Sequence, residues 1–475
     1  MNSRIRIVWK YVFICLYAVM GIAAVFGQAE DTSGEAVSLF GNTIGEDTAP
    51  PAENESEELP AKAEKEPEIP PSSSVQKEAA APVIEVNQPT ARSKTRNLSM
   101  HSGLILSGLA ANNVVPVSDL FKGALEFDFN TLSQKTAKSG LHVGGMFNAD
   151  WYFQFTIHET HTVKLSTTVD SSSWLNLPKN LIDFVAKSNA SGLSNIAGLS
   201  LEGTVNATAY VFVDNGIMYR LKKPSYSFSA RAAYFVPLAY MPNPEISYEL
   251  RDAGLNSVVK LNGDARIYGH LPLATAKNEP VNVSQLLKDG GLDLSLAGSY
   301  QPADWVNITG AVDYLPLLVV TMDKGIRQHM HVDLNAKDIF KAGGLPSDPG
   351  ITKTIGTLPA IKIMRPCKIR LGADFKPLKN NYLIISPFAA VPVVNVTPFY
   401  MDGGLKLESR FARDVLGISF ATNYINRIWQ HELSFFVDSR LVTFILAASV
   451  ASYDFAKTFN SLSGVGVKLG FGIGF

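Results

Sequence analysis

The chain ends in Gly464-Val465-Gly466-Val467-Lys468-Leu469-Gly470-Phe471-Gly472-Ile473-Gly474-Phe475, where an apolar side chain alternates with Gly or Lys. Successive side chains of an extended backbone point to opposite faces, so this period of two predicts a strand with one apolar face. In a water-soluble sheet the outer face would be almost all glycine, which is unfavourable in conformational entropy. In a membrane-spanning barrel the apolar face meets lipid and the Gly and Lys face the interior. The stretch therefore favours a transmembrane strand.

The N-terminus has the three parts of a secretory signal peptide. Three basic residues within the first ten precede an apolar run over residues 11–25, and small residues follow where a signal peptidase cleaves. We predict a signal peptide over residues 1–27, with cleavage after Gly27 or Ala29. An uncleaved anchor and lipidation at Cys15 are the alternatives.

The mature chain offers neither a disulfide nor a transmembrane helix. After removal of the signal peptide Cys367 is the only cysteine, so no intramolecular disulfide can form. No later segment has the roughly 18 consecutive apolar residues that a spanning helix requires. A mature chain that crosses a membrane must therefore do so with strands, because in lipid only helices and closed barrels satisfy every backbone hydrogen-bonding group.

Residues 28–100 differ in composition from the rest of the chain, which the overall net charge of −1 conceals. They contain 14 acidic and 6 basic residues, many Pro, Ala and Ser, and Phe40 as the only aromatic residue. Such a segment cannot bury enough apolar surface to fold, so we predict an acidic, proline-rich, disordered linker. An even strand number would place it in the periplasm. We expect it to be a spacer or to bind peptidoglycan or a periplasmic protein.

Alternating runs recur throughout residues 101–475. The longest, Leu141–Ile157, has most of its aromatic residues on one face and Asp150 and Gln154 on the other. Many such runs without a strand–helix–strand rhythm predict an all-β fold, an antiparallel up-and-down transmembrane β-barrel of about 14 strands. The clearest helix signal covers residues 177–187.

The polar faces of these strands carry charges of both signs, and in a barrel they point inward. The residues predicted to line the lumen are Asp150, Lys164, Glu202, Arg231, Lys260, Asp264, Arg266, Lys368, Arg370, Asp374, Lys376 and Lys406. Such charges either pair across a closed interior or line a water-filled path for small polar solutes. The late basic residues Lys368, Arg370, Lys376 and Lys406 would make one wall favour anions.

Aromatic residues near the predicted strand ends are typical of an interfacial girdle. They are Tyr152, Tyr219, Tyr234, Tyr240, Tyr300, Tyr314, Trp429 and Tyr453. The terminal Phe475 resembles the signal that the barrel assembly machinery reads in the last strand of outer-membrane barrels. We expect that machinery and outer-membrane lipid to be partners of the chain.

Motifs for chemistry are weak. The run His158-Glu159-Thr160-His161 spaces its histidines by three, where a zinc protease helix needs four, and a turn is the better interpretation. His329, His331 and Asp333 share one strand face, which is at most a partial metal site. No Gly-x-Ser-x-Gly elbow, phosphate loop or basic patch with aromatic residues is present. We predict no enzyme activity, no cofactor, no metal site and no nucleic-acid partner.

Residues 97–475 resemble the large outer-membrane barrels of spirochaetes. The resemblance lies in GALEFDFNTLSQ (123–134) as a first strand, RLGADFKPL (370–378) as a late strand, and the Phe-ended last strand. Size and strand number are more distantly similar to barrels that import long-chain fatty acids. We therefore predict an outer-membrane porin-like channel or nutrient transporter for small solutes. The alternative is a structural or adhesive barrel with a closed interior and exposed loops.

Overall fold

The computed structural model describes residues 98–116, 129–183, 186, 200–251, 258–269, 288–335, 351–394, 401–439, 441–460 and 462–475. The predicted signal peptide and nearly all of the predicted linker lie outside the described residues. Both stay predictions.

The described residues contain eighteen strand segments. They are β1 (Leu98–Asn112), β2 (Leu141–Ile157), β3 (His161–Leu177), β4 (Ser200–Lys222), β5 (Tyr226–Met241), β6 (Glu245–Arg251), β7 (Val258–Gly269), β8 (Gly291–Ala303), β9 (Val306–Leu318), β10 (Val320–Asn335), β11 (Ile351–Ile363), β12 (Lys368–Phe375), β13 (Ile384–Pro392), β14 (Asp402–Phe411), β15 (Leu416–Ile425), β16 (Ile428–Asp438), β17 (Val442–Ser452) and β18 (Gly464–Gly474). The helices are α1 (Phe129–Lys135) and α2 (Phe455–Asn460). Residues 179–183 and 186 are also helical, in agreement with the helix predicted over 177–187.

The strands pair antiparallel and close into a ring. The ring runs from β1 through β5, continues through β8, β9 and β12, and then follows chain order to β18. β18 returns to β1 in a register from His101↔Gly474 to Ala111↔Gly464. The amide of Phe475 also donates to the carbonyl of Met100, 2.8 Å away. Closure pairs both edges of these described strands, and the prediction of a closed antiparallel barrel is confirmed.

The predicted strand number, about 14, is too low. β9 continues into β10 across residue 319 and β11 into β12 across residues 364–367, so the segments form 16 strands. The additional strands belong to one sector of the wall. In that sector β6 pairs with β4, and β7 pairs with both β6 and β10. The hairpin β6–β7 therefore replaces the β5–β8 pair between β4 and the continuous strand β9–β10. Alternation marks strands but not their partners, so this exchange could not be predicted.

The alternation of β18 separates an outer from an inner face. Val465, Val467, Leu469, Phe471 and Ile473 are 40–54% exposed, whereas the glycines between them are buried. A Cβ placed on Gly466 would lie 2.4 Å from Oγ of Ser449, so the interior leaves no space for a side chain there. The predicted orientation, apolar side outward and glycine inward, is confirmed.

The two ends of the barrel differ in their connections. The start of β1 and the end of β18 share one end with the short connections β2–β3, β4–β5, β8–β9, β12–β13, β14–β15 and β16–β17. The opposite end carries the long connections, which include α1, the hairpin β6–β7 and the hairpin β10–β11. We call these the turn end and the loop end. In outer-membrane barrels the short turns face the periplasm.

The residues of the predicted aromatic girdle divide between the outside and the inside of the barrel. Tyr219 and Tyr300 are exposed at the turn end, 43% and 57%, where Tyr226, Trp305 and Tyr382 are exposed as well. Tyr152 instead lies inside the barrel, where its hydroxyl is 3.1 Å from Nδ1 of His101. A tyrosine near a strand end can face either way, because its hydroxyl also finds partners in a polar interior.

The stretch 123–134 is not the first strand over its described part, since residues 129–134 lie in α1 and the first strand is β1. α1 and the helical residues 179–183 pack together at the loop end. Val114, Leu132, Leu141 and Ile182 form a buried cluster between them and the wall. Protein therefore covers the outer wall at this end. Within the described residues, the helices fall short of the length and apolarity that crossing a membrane requires.

Candidate functional site

The interior of the barrel holds a network of buried charges. Arg365 lies in the break between β11 and β12 and is 3% exposed. Its Nε donates to Oδ2 of Asp293 at 2.7 Å, and its Nη1 donates to Asp214. Asp214 also accepts a hydrogen bond from Arg231. The guanidinium of Arg365 stacks 4.2 Å from the ring centroid of Tyr314. Arg365 thus bonds directly to β4 and β8, and Asp214 links it to Arg231 on β5.

A second group of buried charges lies three residues further along the chain. The ammonium of Lys368 donates to Asp402, which is 0% exposed. Oδ1 of Asp402 accepts the backbone amide of Asn426 at 2.9 Å. We call Arg231, Arg365, Lys368, Asp214, Asp293 and Asp402 the charged belt. It joins β4, β5, β8, β12 and β14 across the interior.

The turn between β15 and β16 folds inward over this belt. Asn426 is 3% exposed, and its Nδ2 lies 3.3 Å from Sδ of Met146 on β2. The guanidinium of the next residue, Arg427, lies 5.9 Å from the ring centroid of Trp174 on β3. Since β2 and β3 are not neighbours of β15 or β16 in the ring, these contacts bring separate walls together.

Other inward charges are paired as well. Lys164 lies 3.2 Å from Asp150. The carboxylate of Glu408 lies between Lys406, at 2.7 Å, and Arg410, at 2.6 Å. Arg370 pairs with Asp313, and Asp374 accepts a hydrogen bond from Ser386. The late basic residues Lys368, Arg370 and Lys406 therefore do not form the predicted basic wall, because each has an acidic partner.

A separate group of charged residues lies in the barrel wall near the loop end. Arg327 donates twice to Asp264, at 3.0 and 2.9 Å, and Arg266 donates to the same carboxylate at 2.7 Å. This group lies on β7 and β10, in the sector that extends beyond the ring. Burial raises the pKa of Asp264, but the hydrogen bonds and charges of Arg327 and Arg266 outweigh it and hold that pKa below its usual range.

The twelve predicted lumen residues fall into three places. The interior of the ring contains Asp150, Lys164, Arg231, Lys368, Arg370, Asp374 and Lys406. The extended sector at the loop end contains Glu202, Lys260, Asp264 and Arg266, and the β12–β13 turn contains Lys376. The structure does not bring these last five to the charged belt.

Sequence reasoning missed Arg365, the arginine that holds two acids of the belt. The run Met364–Cys367 does not alternate, so no inner or outer face could be assigned to it. Pro366, which interrupts the strand, was the available signal of an irregular insertion. Asp402 was missed because it begins β14 before Gly403-Gly404, and the apolar alternation of that strand starts only at Leu405.

An apolar cluster lies beside the belt, towards the loop end. It consists of Tyr210, Phe212, Phe235, Tyr240, Tyr268, Val320, Met322, Leu358 and Ile363. The ring of Phe235 lies 5.2 Å from Cζ of Arg365, so the cluster and the belt are in contact. The charged belt and the apolar cluster therefore lie next to each other in the interior.

The turn end carries basic residues without acidic partners. Arg220, Lys222, Lys223, Lys376 and Lys379 lie in or next to the β4–β5 and β12–β13 turns, and we call them the turn-end basic cluster. Lys222 lies within electrostatic reach of Arg220, Glu159 and Lys376. Among the described residues none of the five forms an ion pair.

The two histidine motifs lie in a turn and on a strand. His158 and Glu159 form the β2–β3 turn with φ of 52° and 55°, as the turn interpretation predicted. His331 is exposed, and its Nδ1 lies 2.5 Å from Oδ1 of Asn262. In the part of the chain that the structure describes, no group of three or more His, Cys, Asp or Glu is arranged to hold a metal ion.

A closed antiparallel barrel with an exposed apolar outer face and a charged interior defines the class of transmembrane β-barrels. The chain is similar to the TodX deltaS2S3 mutant monoaromatic hydrocarbon channel (7% identity, TM-score 0.42, 80% of this chain and 89% of that chain). It is also similar to the P. putida toluene transporter TodX (7%, 0.41, 80% and 90%). A third similar structure is a Pseudomonas aeruginosa FadL homologue (9%, 0.38, 80% and 90%).

These comparisons agree with the predicted architectural similarity to fatty acid transporter barrels. At such identities and TM-scores the likeness carries no argument about function. No protein-family model and no curated protein matches the chain. The resemblance to spirochaete barrels stays a prediction, as does the absence of enzyme activity.

Proposed function

We propose that the protein is an outer-membrane channel for small solutes, with the charged belt as the element that closes and selects. The belt is the observation that carries the proposal. Replacing a buried ion pair by apolar residues is often neutral or stabilising, so a purely structural barrel does not need one. Ionisable residues inside membrane proteins instead mark solute pathways.

The described conformation is a closed one in this proposal. Asp293 and Asp402 are 1% and 0% exposed, so water does not reach these two carboxylates. The residues that cross the interior come from two connections, Met364–Cys367 and the Asn426–Arg427 turn. Displacement of Met364–Cys367 would separate Arg365 from Asp214 and Asp293, and displacement of the Asn426–Arg427 turn would remove the backbone amide that donates to Asp402. Either displacement would open a polar path.

The membrane orientation forms part of the proposal. The exposed apolar side chains of the outer face favour the outer membrane, and the short turns favour a periplasmic turn end. β1 begins at this end, so the preceding linker would lie in the periplasm. Phe475 is 70% exposed at the same end, where it is accessible to the barrel assembly machinery.

Planar-bilayer recording of the mature protein tests the proposal. We expect discrete current steps, and more frequent opening in Arg365→Leu, which removes the link between β4 and β8. Arg327→Leu is the matched control, because it removes a comparable ion pair outside the ring. A folded protein that conducts neither as wild type nor as Arg365→Leu would overturn the channel and favour the structural or adhesive barrel.

A second candidate is a route for small hydrophobic solutes. The aromatic residues of the apolar cluster, which lies next to the charged belt, favour it. Phe212→Lys distinguishes the two candidates, since it places a charge in this cluster. Loss of toluene uptake into proteoliposomes with unchanged ionic current would favour the hydrophobic route. Unchanged toluene uptake would exclude it.

A further inference from the structure

The turn-end basic cluster carries an excess of positive charge. The three bases of the charged belt each pair with an acid, whereas Lys222, Lys223, Lys376 and Lys379 form no ion pair among the described residues. The neighbouring turns supply three acids, Glu159, Asp304 and Asp414, and Asp414 accepts a hydrogen bond from Asn381 at 3.0 Å. The mouth at this end is therefore positively charged on the side formed by the β4–β5 and β12–β13 turns.

The same chain carries an excess of the opposite charge, attached to the same end of the barrel. Residues 46–68 contain nine acidic and two basic residues. The chain enters the barrel at Leu98, the first residue of β1, which lies at the turn end. Charge complementarity and the point of attachment thus both direct this segment to the basic cluster.

The segment is long enough to reach the cluster. Glu58 precedes Leu98 by 40 residues. Forty residues can span up to about 130 Å when fully extended. The ring contains 14 of the strand segments at the turn end, where β6, β7, β10 and β11 do not take part, and with strands about 4.8 Å apart and tilted by about 40° it is about 28 Å across. Every point of the mouth is therefore within reach from Leu98.

We propose that the acidic segment Glu46–Glu68 binds the turn-end basic cluster of its own barrel. Exposed ion pairs are individually weak. Here several form together, and the tether gives an effective concentration of about millimolar order. The contact is consequently reversible and sensitive to salt. This inference concerns a contact within the chain and does not depend on conductance.

Zero-length carbodiimide crosslinking of the full mature protein in neutral detergent, read by mass spectrometry, tests the contact. It joins a carboxylate directly to an amine, so we expect bonds from Glu53, Glu55, Glu57 or Glu58 to lysines of the cluster. They should form in about 20 mM salt and be reduced at least fivefold in about 0.5 M salt, where the Debye length is only a few ångströms. Lys324, exposed near the loop end, is the matched control and should not react with the segment.

Charge reversal gives an independent measurement. Energy transfer between dyes at Ser56→Cys and Ser225→Cys should fall when Lys222, Lys223, Lys376 and Lys379 are changed to Glu. Changing Glu53, Glu55, Glu57 and Glu58 to Lys in the same chain should restore it, and Lys324→Glu should leave it unchanged. Crosslinks that form equally at Lys324, that join only different copies of the chain, or that persist in high salt would overturn the proposal. Absence of crosslinks at low salt would overturn it too, and would leave the linker to a periplasmic partner.

Discussion

The charged belt and the turn-end basic cluster are built from the same residue types but in opposite ways. In the belt, Arg365, Lys368 and Arg231 are each bonded to an acid, and Arg365 and Lys368 are buried. In the cluster, Lys223 and Lys379 face water without an ion pair among the described residues. Desolvation explains the difference, since a buried charge is unfavourable by several kcal/mol unless it is paired. Paired charges therefore fix the conformation of the interior, and unpaired ones remain available to solutes or to another segment.

The strongest test of this contrast is Arg365→Leu. The change leaves Asp214 and Asp293 without their central cation, and breaking a buried pair destabilises by about 3–5 kcal/mol. Urea unfolding in detergent, followed by tryptophan fluorescence, measures it. Arg370→Leu is the control, because its guanidinium is 25% exposed and its loss should change the free energy of unfolding by about 1 kcal/mol or less. Equal effects of the two changes would contradict the contrast.

Removing both members of a buried pair should be much milder than removing one. Lys368→Met or Asp402→Leu leaves an uncompensated buried charge, which should lower the free energy of unfolding by about 3–5 kcal/mol in each case. The double variant removes both charges, so its free energy of unfolding should fall by only about 1 kcal/mol. This loss remains because the backbone amide of Asn426 no longer has its acceptor. A double-mutant cycle by urea unfolding gives the coupling. Additive losses would show that the two side chains act independently.

The close packing of the interior predicts a smaller effect at the glycines of β18. Gly466→Val should reduce the free energy of unfolding by about 1–3 kcal/mol, because its side chain would meet Ser449, Leu109 and the backbone of Gly108. Val467→Leu, one residue away and 53% exposed on the outer face, should have almost no effect. The melting temperature, read from the heat-dependent gel shift, compares them. A wide, water-filled interior would instead tolerate both changes.

The smallest expected effect on stability is at the turn end. Lys222→Gln with Lys376→Gln should change the free energy of unfolding by about 0.5 kcal/mol or less, since exposed substitutions rarely do more. If the barrel conducts, the same variant should shift the reversal potential in a salt gradient away from anion preference. This shift should disappear in about 1 M salt, where exposed charges are screened. A large loss of stability would place these lysines in a structural network.

The outer face of the barrel could be predicted from the sequence, whereas the inner face could be predicted only in part. The outer face of β18 and the inward charges Asp150, Arg231 and Lys406 followed from alternation. Arg365 did not, because it lies in a break that has no period. The exchange of β5–β8 for β6–β7 also has no local signal, since every antiparallel strand alternates in the same way whatever its neighbour is.

The sequence by itself determined that residues 464–475 form a strand with an apolar side towards lipid, because a period of two in an extended backbone allows nothing else. It also determined that the interior would be charged. Only the tertiary structure decided that Asp214 and Asp293 meet at Arg365, and that the bases of the turn end find no acid among the described residues. Ion pairing depends on distances of a few ångströms between strands far apart in the chain, and closure of the ring sets those distances.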